Sequence, residues 1–198
     1  MMRSGQDTRN MIIEKSATLF NLQGYSGSSM SDIMGATGLQ KGGIYRHFKN
    51  KDELALEAFN HSVEVLRRTY RFAISGKKTA EEKLLAVLSI YLNIVEEPPV
   101  KGGCPLLNTA VDTDDTHPLL NLRAREVMNE WLSFIQSILE EGIQAEEFKS
   151  DLDVQEVSIF LTSTFEGSVM MGKLYNDNDY VKKYYNQLKH YLNYCIKQ

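Results

Sequence analysis

The reading of this chain turns on residues 28–54, Ser28-Ser29-Met30-Ser31-Asp32-Ile33-Met34-Gly35-Ala36-Thr37-Gly38-Leu39-Gln40-Lys41-Gly42-Gly43-Ile44-Tyr45-Arg46-His47-Phe48-Lys49-Asn50-Lys51-Asp52-Glu53-Leu54. Ser29 followed three residues later by Asp32, with Ile33 and Met34 behind, is a helix-start signal. Gly38 stops that helix after little more than two turns. A second short helix is predicted over about Lys41–Phe48. Asn50-Lys51-Asp52-Glu53 then opens a longer one, with acids at the positive end of its dipole. Two short helices across Gly38-Leu39-Gln40 have the dimensions of a helix-turn-helix. The glycine gives the turn its left-handed residue, and Leu39 can pin it to a core. Gly42 and Gly43 each cost the second helix roughly 1 kcal/mol relative to alanine. Close approach to a sugar–phosphate backbone would explain such a pair.

Outward from this stretch, helical periodicity is nearly continuous. Ile12, Ser16, Leu19 and Phe20 form one stripe, ended by Gly24. Leu54, Ala58, Ser62, Val65 and Leu66 give the next helix its inner face until Ser75-Gly76. A helix from Thr79 carries Leu84, Leu88, Tyr91, Leu92 and Val95 and is expected to run to the break at Pro98-Pro99. Between Pro98 and Pro118 only one short helix fits, at about Leu106–Val111. A long helix follows, with Leu120, Ala124, Val127, Trp131, Phe134 and Ile138 inward, ending near Gly142. Asp153 can cap a helix bearing Val154, Val157, Leu161, Phe165 and Val169. A last helix runs from about Asp179 through Leu188 to Cys195. No strand alternation and no internal repeat is present, so the fold class is all-α.

Charge is divided unevenly along the 198 residues. Residues 1–78 hold 12 Lys/Arg and 7 Asp/Glu, a net of +5, while residues 79–198 hold 10 and 19, a net of −9. A basic third on an acidic body fits a polyanion-binding module carried by a body that does not bind polyanions. No apolar run reaches the ~18 residues that span a bilayer. The start, Met1 to Asp7, lacks an apolar leader, so a soluble cytoplasmic protein is expected. Two cysteines, Cys104 and Cys195, provide neither a disulfide framework nor a four-cysteine zinc site.

Gly24-Tyr25, Ser28 to Ile33, Ala36-Thr37-Gly38-Leu39 and Lys41 to Leu54 resemble the DNA-binding domain of the TetR/AcrR family of bacterial repressors. The resemblance spans about residues 8–54. It implies a three-helix DNA-binding domain over 1–54, and an effector-binding and dimerisation domain over 55–198. A helix at about 52–75 joins the two, and a homodimer forms through the last two helices. It implies roles for single residues as well. Ser28 and Ser29 would meet phosphate at the start of the second helix, and Lys41 would meet phosphate or a guanine edge. Tyr45, His47 and Lys51 would hold phosphates, and Arg46 would read bases. Gln40 stands where the family often has serine, which weakens the helix cap. At Gly43 a frequent hydroxyl is missing, and Gly42 and Gly43 together bring the backbone close to DNA. Ile44, Phe48 and Leu54 read as core.

Beyond the first third, Gly103-Cys104-Pro105-Leu106-Leu107-Asn108-Thr109-Ala110 resembles a segment of a drug- and flavonoid-responsive subgroup of these repressors. An effector pocket needs apolar walls with a few polar groups. Tyr91, Cys104, Leu107, Asn108, Met128, Trp131, Phe134, Phe165 and Met170 are its candidates, against the plainer reading of each as core. Gly167, Ser168 and Gly172 allow close helix contact in the last helix pair. The expectation is a ligand-responsive repressor on a palindromic operator, without cofactor, metal or catalytic residues, released by a small apolar or aromatic effector. Two readings stand beside it: a helical interaction protein without DNA binding, and a redox sensor acting through Cys104. An enzyme is disfavoured. Glu140-Glu141 and Glu146-Glu147 have no histidine at di-iron spacing and read as a solvated face, and no phosphate loop or nucleophile elbow occurs.

Overall fold

The structure, a computed structural model, describes residues 5–197. Met1–Ser4, on which part of the leader expectation rests, lie outside the described residues. Among the described residues the fold is all-α, with no strand beyond one isolated bridge between Phe148 and Lys197. In chain order the helices are α1 (Gly5–Gln23), α2 (Met30–Thr37), α3 (Lys41–Tyr45), α4 (Lys51–Ile74) and α5 (Ala80–Leu88). They continue as α6 (Pro105–Thr113), α7 (Pro118–Gln144), α8 (Val154–Tyr175) and α9 (Asp179–Tyr191). A 3-10 turn follows α5 at Ser89–Tyr91, and a π turn follows α9 at Leu192–Ile196.

The chain divides into two compact units: residues through Leu66 with Val100–Val127, and Arg67–Pro99 with the chain from Met128 onward. The first unit is centred on Ile12, Ile13, Ile33, Ile44, Phe48 and Leu54, joined by Met11, Leu19, Phe20, Met30, Met34 and Leu39. Ile12, Ile33 and Leu54 are fully buried, each contributing about 1.5–3 kcal/mol. Two amides stitch α1 to the start of α6. Asn21 Nδ2 donates to the carbonyls of Lys101 and Gly103 at 2.9 and 3.0 Å. Asn108 Nδ2 donates to Asn21 O, Asn21 Oδ1 and Gly102 O at 2.9–3.1 Å.

In the second unit α8 packs along α9. Gly172 lets them close: a β-carbon there would lie 3.1 Å from both Val181 and Ile94. Gly167 meets open space instead, so of the two glycines only Gly172 is used within the chain. Glu147 is not part of a solvated acidic face. Its carboxylate accepts the N–H groups of Ala80 and Glu81 at 2.9 and 3.3 Å, capping α5 beside the Thr79–Glu82 capping box. Glu141 pairs with Lys83. α7 ends at Gln144, near Gly142 as expected, and Gly142 is also a contact site on which the fully buried Phe148 ring lies.

The largest departure from the periodicity is α5. Apolar spacing predicts a helix to Val95, but the α-helix ends at Leu88. Ser89 hydroxyl donates back to Ala86 O at 2.8 Å, and the Ser89 N–H is shared between Leu85 and Val87 carbonyls, which tightens the turn. Further on, the Val95 N–H donates to Asn178 Oδ1 at 3.0 Å, so a tertiary acceptor replaces the helical one.

Candidate nucleic-acid interface

The α2–turn–α3 unit is built by short-range chemistry. Ser29 caps α2: its hydroxyl accepts the Asp32 N–H at 3.2 Å, while the Ser29 N–H donates to Asp32 Oδ2 at 2.7 Å. These bonds to Ser29 hold the exposed Asp32 carboxyl below its ordinary range. Gly38 closes the helix in the left-handed region at φ +72°, its N–H donating to Met34 O at 2.8 Å. Gln40 opens α3 without a side-chain cap. Ile44 and Phe48 are buried, so the opposite side of the segment carries Gln40, Lys41, Gly42, Tyr45 and Arg46 outward. His47 is half-buried. No acidic residue occurs between Asp32 and Asp52, while Lys41, Arg46, Lys49 and Lys51 all do. The result is an exposed cationic segment on a rigid apolar base.

Lys51 occupies a distinct setting. It is half-buried, its Nζ donates to Tyr25 O at 2.6 Å, and it lies 4.0 Å from the centre of the Tyr25 ring. Burial lowers its pKa, opposed by the charges of Asp52, Asp112 and Asp32. Tyr25 hydroxyl donates to Asp52. Its phenol is pushed up to about 12, by burial first and then by Asp52. The Tyr25 N–H donates to Asp112 of α6 at 2.6 Å. His117, buried ahead of α7, accepts the Leu120 N–H on Nδ1 at 3.1 Å, and its Nε2 lies 3.5 Å from Asp52 Oδ1. The Tyr25 and His117 rings meet edge-on at 4.5 Å.

Two family models match the chain, one described as "Bacterial regulatory proteins, tetR family" over residues 12–58 and one as "Tetracyclin repressor-like, C-terminal domain" over residues 80–188. The chain belongs to the TetR family. It is 38% identical to a TetR transcriptional regulator from Chloroflexus aurantiacus J-10-FL, with a TM-score of 0.94 and 99% of each chain covered. It is 29% identical over 170 residues to the fatty acid metabolism regulator protein of Bacillus subtilis (strain 168), covering 85% of this chain and 84% of that one. It is 24% identical over 166 residues to the transcriptional repressor DhaR of Mycobacterium sp. (strain GP1), covering 84% and 82%. The protein is therefore a TetR-family transcriptional regulator, with the N-terminal helix-turn-helix that its sequence predicts.

Within this TetR-family chain the predicted contact residues divide into two kinds. Gln40, Lys41, Gly42, Tyr45 and Arg46 are exposed, with the half-buried Gly43, His47 and Lys51 beside them. Ser28 is buried and its hydroxyl donates to Gly24 O at 2.7 Å, so its side chain secures the turn. Ser29 is exposed, but its hydroxyl is engaged with Asp32. The predicted effector residues also divide. Cys104, Leu107 and Asn108 belong to the first unit, and Asn108 uses its amide on α1. Tyr91, Met128, Trp131, Phe134, Phe165 and Met170 belong to the second. There Trp131 lies 6.0 Å from Phe134 and 6.3 Å from Phe165, and Phe165 meets Tyr91 edge-on at 5.3 Å. Trp131 Nε1 donates to Thr162 at 3.0 Å, and Tyr70 adds a further ring 5.0 Å from Trp131. Met170 is 52% exposed and does not join this aromatic cluster. Cys104 is buried, as a small packed hydrophobe is, and Cys195 is exposed. No group of three or more metal-ligating side chains occurs among the described residues, and no described helix is long and apolar enough to cross a membrane. Periodicity did not find Asp112 and His117. Their signals are a carboxylate ending α6 and a histidine directly before Pro118, a helix N-cap with proline at the first position.

Proposed function

We propose that this regulator represses transcription as a homodimer on a palindromic operator and is released by a small apolar or aromatic effector. The observation that carries DNA binding is the Gln40–Arg46 segment, which exposes Gln40, Lys41, Gly42, Tyr45 and Arg46 with Lys51 behind them, carries two cations and no acid, and stands on a buried apolar base. Tyr45, His47 and Lys51 hold backbone phosphates, Lys41 meets a phosphate or a guanine edge, and Arg46 reads a base edge in the major groove. Gly42 supports this reading, because a β-carbon there meets nothing within 4 Å. Packing within the chain thus gives no reason for glycine, whereas a duplex pressed against α3 does.

Dimerisation through α8 and α9 is supported by exposed apolar side chains on α8, Ile159, Phe160, Met170 and Leu174, and by Tyr194 beyond α9. Phe160, Tyr184 and Tyr191 line an open groove of about 400 Å³ beside them. A two-fold pair then reads half-sites about 34–36 Å apart. The aromatic cluster around Trp131 supports an apolar effector, and kinship to a regulator of fatty acid metabolism adds acyl compounds to the aromatic ones to be screened. The Gly103–Ala110 segment supports membership of the drug- and flavonoid-responsive subgroup. The function needs no cofactor and is placed in the cytoplasm.

The test is duplex binding by the full chain against DNA from upstream of its own gene, by gel shift. A Lys41, Tyr45 and Lys51 triple alanine variant loses specific binding, and unchanged binding by that variant would falsify the assignment. Because Trp131 is the only tryptophan, its fluorescence reports effector entry directly.

A further inference from the structure

Tyr25 has every polar atom occupied, and two of its partners come from far along the chain. One α6 carboxylate, Asp112, accepts the N–H of Tyr25 at 2.6 Å and that of Ser26 at 3.3 Å. The fit is close: a β-carbon on Gly24, at φ +78°, would lie 2.9 Å from Asp112 Oδ1. The carbonyl of the same Tyr25 takes the Lys51 ammonium, its ring lies against that ammonium, and its hydroxyl donates to Asp52. His117 approaches both the Tyr25 ring and the Asp52 carboxylate. The turn between α1 and α2 is therefore fixed by groups 26, 27 and 87 residues away in sequence.

We propose that Asp112 is a positioning residue for DNA binding: by holding the Tyr25–Ser26 turn from α6, it sets the carbonyl that aims the Lys51 ammonium at a backbone phosphate. The proposal rests on the reading of Lys51 as a phosphate contact. An ammonium has three donors, so the bond to Tyr25 O leaves two for phosphate. A lysine already held by a carbonyl and a ring has given up its rotamer freedom on folding and gives up little more on binding. The sign of the effect separates this role from plain electrostatics. Asp112 is an anion close to a cationic surface, and a surface anion repels DNA, so its removal would tighten binding. Loss of positioning weakens it.

The experiment uses the full-length chain and a fluorescein-labelled duplex of mixed sequence, about three helical turns long, titrated by anisotropy over a series of KCl concentrations. Mixed sequence suffices because phosphate contacts are sequence-independent. Asp112→Ala is expected to bind several-fold more weakly than the parent. Its plot of log K against log[KCl] is expected to be shallower by about one per reading head, matching Lys51→Ala. The double variant is expected to bind no more weakly than Lys51→Ala alone, because both changes remove one contact. Asp112→Asn keeps the shape with a weaker acceptor and falls between. It decides the matter if the alanine variant does not fold, an unchanged slope then overturning the proposal. Asp112→Ala binding as tightly as the parent or tighter, or a double variant whose losses add, overturns it too. If the parent binds but Lys51→Ala is unaltered, the positioning role falls while DNA binding stands. If the parent does not bind the duplex at all, the reading of the function falls and takes the proposal with it.

Discussion

Gly42 has room for a side chain it does not carry. It is exposed, its backbone is not left-handed, and open space surrounds its would-be β-carbon. Gly42→Ala is expected to stabilise α3 by up to about 1 kcal/mol, read as a raised denaturation midpoint. The same variant is expected to bind operator more weakly, on the order of tenfold, the scale of one displaced close contact. Higher stability without any loss of DNA binding would remove the case for close approach. The residue scale also sets a pH profile. Asp52 is held below its ordinary 3.8, chiefly by the Tyr25 hydroxyl. A depressed carboxyl contributes stability that is complete above its unfolded pKa and lost as pH falls through the folded value. The Tyr25 phenol is raised from 10.0 to about 12, so its contribution is complete below 10.0 and is lost as pH climbs toward 12. Tyr25→Phe removes the phenol and the largest lowering of Asp52, leaving the smaller ones from His117 and Lys51, and its stability curve, followed by urea unfolding from acid to alkali, is expected to be flatter than the parent's at both ends. Identical acid and alkaline limbs would contradict the pairing.

At the scale of elements, what was legible in the sequence is what neighbours along the chain decide. Ser29 with Asp32, Gly38 and Asp153 are caps whose partners lie within four residues, and each marks its helix end in the structure. The aromatic and aliphatic stripes marked the cores of α1, α4 and α7 for the same reason. The apolar stripe hid the end of α5, where the Ser89 hydroxyl turns back on Ala86, and the tertiary acceptor of the Val95 N–H, Asn178, is 83 residues away. Glu147 hid its role similarly, since its partners at Ala80 and Glu81 share no pattern with it. In the interface, α3's exposed side followed from its short period, but the grip of Asp112 and His117 on Tyr25 and Asp52 did not. The end of α7 near Gly142 was readable, but the use of Gly142 as a floor for Phe148 was not. Its β-carbon would come within 2.2 Å of that ring and 2.9 Å of Ala80. Gly142→Ala is expected to cost about 1–3 kcal/mol through overpacking, measured as a fall in thermal midpoint. A neutral result would mean that the Phe148 ring can move aside at no cost.

At the scale of the whole molecule, the proposed dimer makes the sharpest demand. Phe160 is 47% exposed on α8, with its ring 4.9 Å from Tyr191. Phe160→Lys is expected to shift the sedimenting species from dimer to monomer at micromolar concentration. Operator affinity falls with it, by a factor of about 100 or more, because two heads no longer act as one ligand. A dimer of unchanged stability would place the contact elsewhere. The alternative of a helical interaction protein without DNA binding predicts that the same variant changes assembly with no consequence for duplex binding.

The two thiols carry a consequence for measurement. Cys195 stands in solvent while Cys104 is buried at the start of α6. Cys195 also lines the groove that the proposed dimer covers, so an alkylating reagent is expected to take up a first equivalent as dimers part, and a second, slower one only as individual molecules breathe open. The rate of that slow uptake clocks the local loosening of α6, the helix that carries Asp112. Operator or effector, once identified, can be added to the same tube to learn which of them quiets it.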